Sequence, residues 1–547
     1  MKSLLLSLTI ASSLFSQLLE NFLPESQPPK IEGSVNINNV EISYIDHGES
    51  ISISKCPKNA QGTIVIPAEI SSKPVTKIEP NAFEFCKQIT SVQLPESITS
   101  IGSRSFRYCD KLEKINIPEA TKEIGELAFV SSMRIKSIHI PSATKHIGYE
   151  AFNACYYLNS ITVDQDNQNY SSDSQGCLYN KAQTKLIQIP GWYKGTYKLP
   201  ASVRELDKEF CFLSERLTSF EVDSDNQHFS NDPQGALYSK DFTTIHKVPV
   251  PSKGTFTIPD TVKVIATRAF ARSFHITKVL IPESVTEIKT EAFYSCGLTE
   301  IELPDNLISI DEGAFKSCHS LARIRLPRNL KHIKEIAFWD CRELTSIELP
   351  EGLKTMGRDL FGSCLKLQSI HIPASVEKIE GSIAFESGNL DRITISPESL
   401  HYHVDAQGVL YTKDLSILLQ VPHTITGHYN ISDETHTISG NSFRGCKKLS
   451  SVTIGQNVRT IEFQAFNTCT SLTAITLPKS VKEIGYSAFF NNQSLKKVVI
   501  EGDHLPVARG QTFGATDPDI QAYVSESIHK EKPTWAGIPT APLKQTH

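Results

Sequence analysis

Cysteine is the chemically active residue type that recurs most regularly in this sequence. Nine of the 12 cysteines lie three residues after a recurring phenylalanine: Cys86, Cys109, Cys155, Cys296, Cys318, Cys341, Cys364, Cys446 and Cys469. The same slot is otherwise filled by Ser132, Ser273, Gly388 and Asn492. Such phasing indicates a structural role, and the lack of a C-x-x-C pair disfavours a metal site.

Two structural roles compete for these cysteines. Neighbouring coils of a repeat lie about 5 Å apart, which falls within the Cα range of a disulfide. Parallel side-chain directions, however, keep the Cβ atoms too far apart for an unstrained bridge. We therefore predict a ladder of buried thiols.

Two short acidic stretches have the residue types of a calcium site. Asp164 and Asp166 open one, and Asp223 and Asp225 open the other. A calcium loop usually also needs a closing bidentate carboxylate, and neither stretch has a closing Glu. Asp and Asn also cap turns through the neighbouring backbone, and we favour this interpretation.

Histidine and the known catalytic motifs give little further chemistry. His401 and His403 are spaced to lie on one face of a strand, but isolated surface histidines are commoner than two-histidine metal sites. G-x-S-x-G, H-E-x-x-H, a Walker loop and a dinucleotide fingerprint are all absent from the sequence. The sequence predicts no enzyme, no cofactor and no metal.

Composition narrows the classes of partner. The chain has 547 residues, 39% hydrophobic and 21% charged, with a net charge of −5. These values are typical of a folded protein and give no electrostatic footprint for nucleic acid. No Lys/Arg run predicts a membrane-surface patch, and no apolar run is long enough for a transmembrane helix.

The elements that hold these residues come from a repeat of about 23 residues. Phenylalanine marks its step at Phe83, Phe106, Phe129 and Phe152, at Phe270, Phe293, Phe315, Phe338, Phe361 and Phe385, and at Phe443, Phe466, Phe489 and Phe513. Within a unit, Leu344, Ile347 and Leu349 alternate as in a half-buried strand, and Pro350 ends it. One such coil cannot bury its own apolar face, but stacked coils can.

The pattern I-G-x-x-A-F-x-x-C-x-x-L-x-x-I-x-L-P resembles the BspA-like leucine-rich repeats of bacterial and protozoan surface proteins. It is seen in part at Ile484-Gly485-Tyr-Ser-Ala488-Phe489 and at Ala151-Phe152-Asn-Ala-Cys155, and it extends over roughly residues 64 to 530. The resemblance implies attachment to host matrix proteins or to other cells. The predicted fold is a repeat solenoid, mostly β with short helical or irregular returns, as a curved right-handed array with one parallel sheet.

The chain divides into four predicted parts. Residues 1–16 read as a secretory signal peptide, and residues 33–63 as a β-rich N-terminal cap. Residues 64–513 hold the repeats, with longer island units near 164–200, 223–260 and 396–435 that suggest hairpin-like coils around Gly176, Gly235 and Gly408. Residues 514–547 form a C-terminal cap and tail. Asn169, Asn430 and Asn492 begin sequons for N-glycosylation.

The outward residues of the repeat strands form two polar lanes. Their most charged part comprises Glu300, Glu302, Arg323, Arg325, Glu348 and His371. Two roles remain open for it: cross-strand stabilisation, at about 0.2–1 kcal/mol per pair, or a docking patch for a partner protein.

These features predict a non-catalytic, secreted or cell-surface protein that functions in adhesion or recognition. Its expected partners are host matrix or cell-surface proteins, with self-association as a further option. One alternative is a secreted coat or matrix component. Another is an intracellular interaction scaffold, if the leader is not cleaved.

Overall fold

The computed structural model describes residues 31–543 and divides the chain into two compact units, residues 1–181 and 182–547. The predicted signal peptide (residues 1–16) and the last four residues of the predicted tail (544–547) lie outside the described residues.

The first unit consists of short strands joined by turns. They are β1 (Ile31–Ile37), β2 (Val40–Asp46), β3 (Ile51–Lys55), β4 (Gln61–Val65), β5 (Glu69–Ile70), β6 (Lys73–Ile78), β7 (Gln88–Gln93), β8 (Ser100–Ile101), β9 (Lys114–Ile115), β10 (Glu123–Ile124), β11 (Ser137–Ile140), β12 (His146–Ile147), β13 (Ser160–Val163), β14 (Tyr170–Ser172) and β15 (Leu178–Asn180).

The second unit continues in the same manner. Its first strands are β16 (Lys185–Gln188), β17 (Lys194–Leu199), β18 (Glu205–Leu206), β19 (Arg216–Val222), β20 (Phe229–Asn231), β21 (Leu237–Ser239), β22 (Thr244–Lys247), β23 (Gly254–Thr257), β24 (Val264–Ile265), β25 (Ile276–Leu280), β26 (Glu287–Ile288), β27 (Glu300–Glu302), β28 (Ser309–Ile310), β29 (Arg323–Arg325), β30 (His332–Ile333), β31 (Thr355–Met356), β32 (Ser369–Ile372), β33 (Lys378–Ile379) and β34 (Arg392–Ile395). There follow β35 (Tyr402–Val404), β36 (Leu410–Thr412), β37 (Ile417–Gln420), β38 (Gly427–Asn430), β39 (Thr437–Ile438), β40 (Leu449–Thr453), β41 (Thr460–Ile461), β42 (Ala474–Leu477), β43 (Glu483–Ile484), β44 (Lys497–Ile500), β45 (Val507–Ala508), β46 (Gln521–Val524), helix α1 (Glu526–Glu531), β47 (Thr534–Trp535) and β48 (Ile538–Pro542).

Strands of successive coils pair in parallel, which confirms the predicted repeat solenoid. Most coils contribute one strand to each of two separate ladders, whereas one parallel sheet was expected. In the first unit one ladder runs through β3, β6, β8, β10 and β12, and another through β4, β7 and β9. In the second unit β22, β24, β26, β28, β30, β31 and β33 form one ladder, while β27 and β29 belong to the other. The additional strands are mostly two residues long, so they leave no alternation in the sequence that could announce them.

Parallel pairing extends into both predicted caps. β3 and β4, which both begin inside the stretch 33–63, already pair with β6 and β7. At the other end β46 and β48 continue the ladder of β44, and the Trp535 ring packs on Phe513 with centroids 5.5 Å apart. Coil stacking therefore begins before residue 64 and ends after residue 513.

The returns between the ladders are turns rather than helices. Around most of the recurring phenylalanines, the residues two before and two after adopt positive φ, as at Arg268 (57°) and Arg272 (64°) around Phe270. Between them, the Phe270 amide donates to the carbonyl of Ala292 in the next coil at 2.7 Å. The irregular return is thus fixed by coil-to-coil hydrogen bonds.

Phenylalanine rings form the core of each coil stack. In the first unit Phe83, Phe106, Phe129 and Phe152 stack with centroids 4.9 to 5.7 Å apart. The rings from Phe270 to Phe361 and from Phe443 to Phe513 stack in the same way in the second unit. These side chains are almost fully buried, which accounts for the strict step of the aromatic residue.

The cysteine slot is a hydrogen-bond donor position. The Cys341 thiol donates to the carbonyl of Phe315, one coil back, at 3.2 Å. The Ser132 hydroxyl and the Asn492 amide donate to the corresponding Phe106 and Phe466 carbonyls. The nine slot cysteines are buried, as predicted, and Cys56, Cys177 and Cys211 are buried as well. Where Gly388 stands in the slot, the neighbouring Ser387 hydroxyl donates to the Phe361 carbonyl instead.

The same slot decides the fate of one sequon. Asn492 is fully buried and its side chain is committed to the Phe466 carbonyl, so a glycan there is incompatible with the folded coil. Asn169 and Asn430 are exposed.

Candidate protein-interaction surface

The charged lanes lie on two adjacent coils of the second unit. Glu300 and Glu302 flank inward-facing Ile301 in β27, and Arg323 and Arg325 occupy the matching positions of β29. Because side chains alternate along a strand, burial of the intervening isoleucine turns both charges of each strand outward. The register places Glu300 opposite Arg323 and Glu302 opposite Arg325, with all four side chains exposed.

Ion pairs in this region do not follow that register. Glu300 pairs with Lys278 of the preceding coil at 3.1 Å. Arg325 pairs with Asp305, in the loop after β27, at 3.6 Å. The ion pairs expected between the two strands are therefore replaced by pairs with Lys278 and Asp305. The lane pattern did not predict these partners.

Glu302 and Arg323 are left without an ion pair in the described part of the chain. They lie diagonally across β27 and β29 and are exposed. A partner would therefore not have to break an internal ion pair to engage these two charges.

The remaining two predicted site residues differ from this pair. Glu348 is exposed but belongs to a stretch, 344–350, in which no strand forms. His371, in β32, is held by its own neighbours, since Nδ1 lies 2.9 Å from Thr394 Oγ1 and Nε2 lies 3.2 Å from Ser396 Oγ. Glu348 extends the charged surface, whereas His371 is already engaged.

An apolar side chain borders the charges. Leu280 ends β25 in the lane that contains Glu302, and 45% of its surface is exposed. A large aliphatic group beside unpaired charges is a combination that protein interfaces use. We define Leu280, Glu302, Arg323 and Glu348 as the lane patch.

Polar side chains elsewhere in the lanes are paired across coils. Thr196 and Ser219 hydroxyls lie 2.7 Å apart, and His428 Nδ1 lies 2.7 Å from Ser451 Oγ. In the first unit His139 Nδ1 lies 3.0 Å from Thr162 Oγ1. The side chains of the lane patch differ from these positions because they make no such hydrogen bonds among the described residues.

The acidic stretches are turn caps. The amide of Asp166 donates to Asp164 Oδ1 at 2.8 Å, and the amide of Asp225 donates to Asp223 Oδ1 at 2.9 Å. These are Asx-turns, the favoured interpretation. Within residues 31–543 no group of three His, Cys, Asp or Glu side chains is placed to hold a metal ion, and His401 and His403 are separately exposed.

Each island also contains a polar cluster that sequence reasoning missed. In the third, Asp405 Oδ1 accepts from the amides of Gln407 and Val409, and Oδ2 accepts from the Tyr429 hydroxyl at 2.7 Å. Asp173 and Asp232 cap the corresponding turns, which confirms the predicted hairpins around the positive-φ glycines. The recurrent D-x-x-G-x-x-Y pattern was the available signal.

Comparison with protein families identifies the repeat. The model of the BspA type leucine rich repeat region matches six copies, within residues 69–194, 252–342, 286–405 and 424–517. The chain belongs to the BspA-type leucine-rich repeat family. The lane patch lies wholly within BspA-type repeats, whereas the hairpin of the second island lies between matched stretches.

Solved structures of leucine-rich repeat proteins are similar to this BspA-type chain. One, a leucine rich cell surface protein from Faecalibacterium prausnitzii, is 22% identical with a TM-score of 0.39, covering 68% of this chain and 96% of its own. A leucine-rich repeat protein from Bacteroides ovatus is 18% identical with a TM-score of 0.28, covering 95% and 100%. The pneumococcal vaccine antigen PcpA is 17% identical with a TM-score of 0.32, covering 94% and 100%.

The family assignment rests on the repeat match rather than on these distant likenesses. No curated protein sequence matches the chain. Among the described residues of this BspA-type protein, no helix is long and apolar enough to cross a bilayer.

Proposed function

We propose that this BspA-type chain is a non-catalytic extracellular adhesion or recognition protein that binds other proteins through its strand face. The observation that carries the proposal is the pair Glu302 and Arg323. Both charges are exposed on regular strands, and neither has an ionic partner among the described residues.

The composition of the lane patch supports a protein partner. Its two acidic side chains and one basic side chain provide no phosphate-binding field, and the chain as a whole carries −5. Opposite charges close together favour a surface that itself carries both signs, and Leu280 adds an apolar contact. Resemblance to BspA-like surface proteins supports host matrix or cell-surface proteins as the class of partner.

The leader supports an extracellular location. Met1-Lys2 is followed by an apolar run from Leu4 to Ile10 and by small residues from Ala11 to Ser13. This is the arrangement of a secretory signal peptide.

The test is capture of the secreted full-length protein on immobilised matrix proteins and on cell-surface protein extracts. Glu302→Gln and Arg323→Gln both remove a charge; glutamine has the size of glutamate and is shorter than arginine. We expect binding to weaken about tenfold or more in the double variant, which corresponds to about 1.4 kcal/mol.

The matched control is a charged pair from the other ladder. Lys354 and Glu377 form an exposed ion pair at 2.6 Å, and Lys354→Gln with Glu377→Gln removes the same number of charges. Binding should be unchanged in this control. Equal weakening in both double variants, or none in either, would show that the lane patch is not the docking surface.

A further inference from the structure

Cys56 and Cys86 share one carbonyl acceptor. Cys86 occupies the repeat slot, but the preceding coil presents Cys56 and Pro57 in place of a phenylalanine. The Cys86 thiol lies 3.5 Å from the Pro57 carbonyl oxygen, and the Cys56 thiol lies 3.8 Å from the same oxygen. Two thiols therefore converge on one acceptor.

The Cys86 thiol also lies 3.7 Å from the carbonyl oxygen of Cys56. A hydrogen bond from Cys56 lowers the pKa of the Cys86 thiol against the opposing effect of burial, and the Lys58 ammonium lowers it further. The same hydrogen bond, together with burial, raises the pKa of Cys56. Lys58 is kept nearby over the Phe85 ring, 5.2 Å from its centroid.

Regular ladder cysteines show the contrast. The thiols of Cys109, Cys318 and Cys341 each donate to a phenylalanine carbonyl of the preceding coil at 3.0 to 3.2 Å. Each of these thiols has a separate phenylalanine carbonyl as its acceptor. Cys56, by contrast, does not occupy the repeat slot and shares its acceptor with Cys86.

We propose that Cys56 and Cys86 form a disulfide that joins the first two coils of the exported protein. The biological setting rests on the proposed export, but formation of the bond does not. The link closes residues 56–86 into a loop that spans the coil of β3 and β4 and the coil that follows it.

The oxidant is a small disulfide or a thiol–disulfide oxidoreductase. The Cys86 thiolate attacks one sulfur of the oxidant and releases the other as a thiolate, leaving a mixed disulfide. Cys56 then gives up its proton to the released thiolate and attacks the Cys86 sulfur, and a second thiol leaves. Two protein thiols and one external disulfide become one protein disulfide and two external thiols. Because both cysteines are buried, the exchange takes place while the chain folds or opens locally.

The test is refolding of the full-length protein in a buffer of reduced and oxidised glutathione, followed by alkylation in denaturant and peptide mapping by mass spectrometry. Trypsin should release residues 56–58 joined to residues 78–87, with the other ten cysteines alkylated. Alkylation of all 12 cysteines, or a link between other cysteines, would overturn the proposal.

Two variants separate this bond from general oxidation. Cys56→Ser should lose the linked peptide and leave Cys86 alkylated, whereas Cys109→Ser, a change in the regular ladder, should keep the link. A reductant should lower the thermal midpoint of the wild type and of Cys109→Ser but not that of Cys56→Ser. A reductant effect that persists in Cys56→Ser contradicts the assignment. Because the refolding assay needs no export or partner, its result is independent of the adhesion proposal.

Discussion

Hydrogen-bond donation explains the residue types that share the cysteine slot. A buried carbonyl without a donor costs about 1–3 kcal/mol, and the slot supplies that donor to the phenylalanine of the preceding coil. Cysteine, serine and asparagine can all meet the requirement, but the buried Ser273 hydroxyl in the same slot has no hydrogen-bond partner among the described residues. Burial raises the pKa of Cys155, a regular slot thiol, to about 12, so this cysteine is a poor nucleophile as well as a structural donor.

Substitutions at Cys341 should separate donor capacity from volume. Cys341→Val keeps an apolar side chain of similar size but leaves the Phe315 carbonyl unpaired, and we expect it to lower the free energy of unfolding by about 1–3 kcal/mol. Cys341→Ser keeps the donor and should cost less. Urea denaturation of the two variants measures the difference, and a serine variant less stable than the valine variant would contradict this account.

Buried histidine makes the stability of the chain depend on pH. Burial lowers the pKa of His423 from 6.5 to about 4, and its side chain is 4% exposed. Between pH 6.5 and about pH 4, His423 is protonated in the unfolded chain but remains neutral in the folded chain. The contribution is therefore complete above pH 6.5 and is lost as the pH falls toward 4, by up to about 3 kcal/mol.

His423→Gln should reduce this acid destabilisation, because glutamine does not titrate and can still donate to the Arg444 carbonyl. Urea titrations at pH 7 and pH 4.5 should show a smaller loss of unfolding free energy in the variant than in the wild type. The exposed His504→Gln serves as the control and should leave the loss unchanged. Equal losses in all three proteins would exclude His423 as the cause.

At the scale of the element, glycine after the short strand sets the spacing of coils. A Cβ at Gly357 would lie 2.3 Å from the Glu335 amide nitrogen in the preceding coil. Gly125 and Gly485 are equally close to their preceding coils. The I-G pair of the repeat is thus explained by close approach of two backbones.

Gly357→Ala should therefore force two coils apart and lower the free energy of unfolding by about 1–3 kcal/mol. Gly388→Ala is the matched control, because an added Cβ there meets no atom within 4 Å. Thermal or chemical denaturation of both variants tests the claim. If Gly388→Ala lowered the free energy of unfolding as much as Gly357→Ala, the effect would come from replacing glycine in general and not from the spacing of the coils.

The sequence pattern was sufficient to predict the strands that bury one face in the core. The strand ending at Leu477, with its alternation and following proline, could be predicted because period 2 and burial coincide. Two-residue strands such as Glu483–Ile484 could not, since their pairing comes from backbone contacts between coils. The left-handed turns were hidden for a related reason: Arg268 and Ile336 adopt positive φ although neither residue type announces it.

The candidate site was predictable in position but not in pairing. The alternation around Ile301 and Ile324 was enough to predict that four charged side chains are exposed: Glu300, Glu302, Arg323 and Arg325. Their ion-pair partners could not be predicted, because long side chains can reach residues outside the strand register. Lys278 pairs with Glu300, and Arg325 pairs with Asp305. These two ion pairs leave Glu302 and Arg323 unpaired among the described residues, which the sequence pattern could not predict.

At the scale of the whole molecule, the adhesion proposal requires export. We expect the mature secreted protein to lack residues 1–16, with cleavage near the small residues that follow the apolar run. N-terminal sequencing of the protein from culture medium measures this directly. A native protein that still begins at Met1 would favour the intracellular scaffold instead.

The central claim, that the strand face around the lane patch binds a protein partner, is tested most directly by hydrogen–deuterium exchange with and without the captured partner. Binding should slow exchange in β27 (Glu300–Glu302) and β29 (Arg323–Arg325) and leave the return turns around Phe315 and Phe338 unchanged. Protection confined to those returns, or to coils remote from residues 278–348, would contradict the claim.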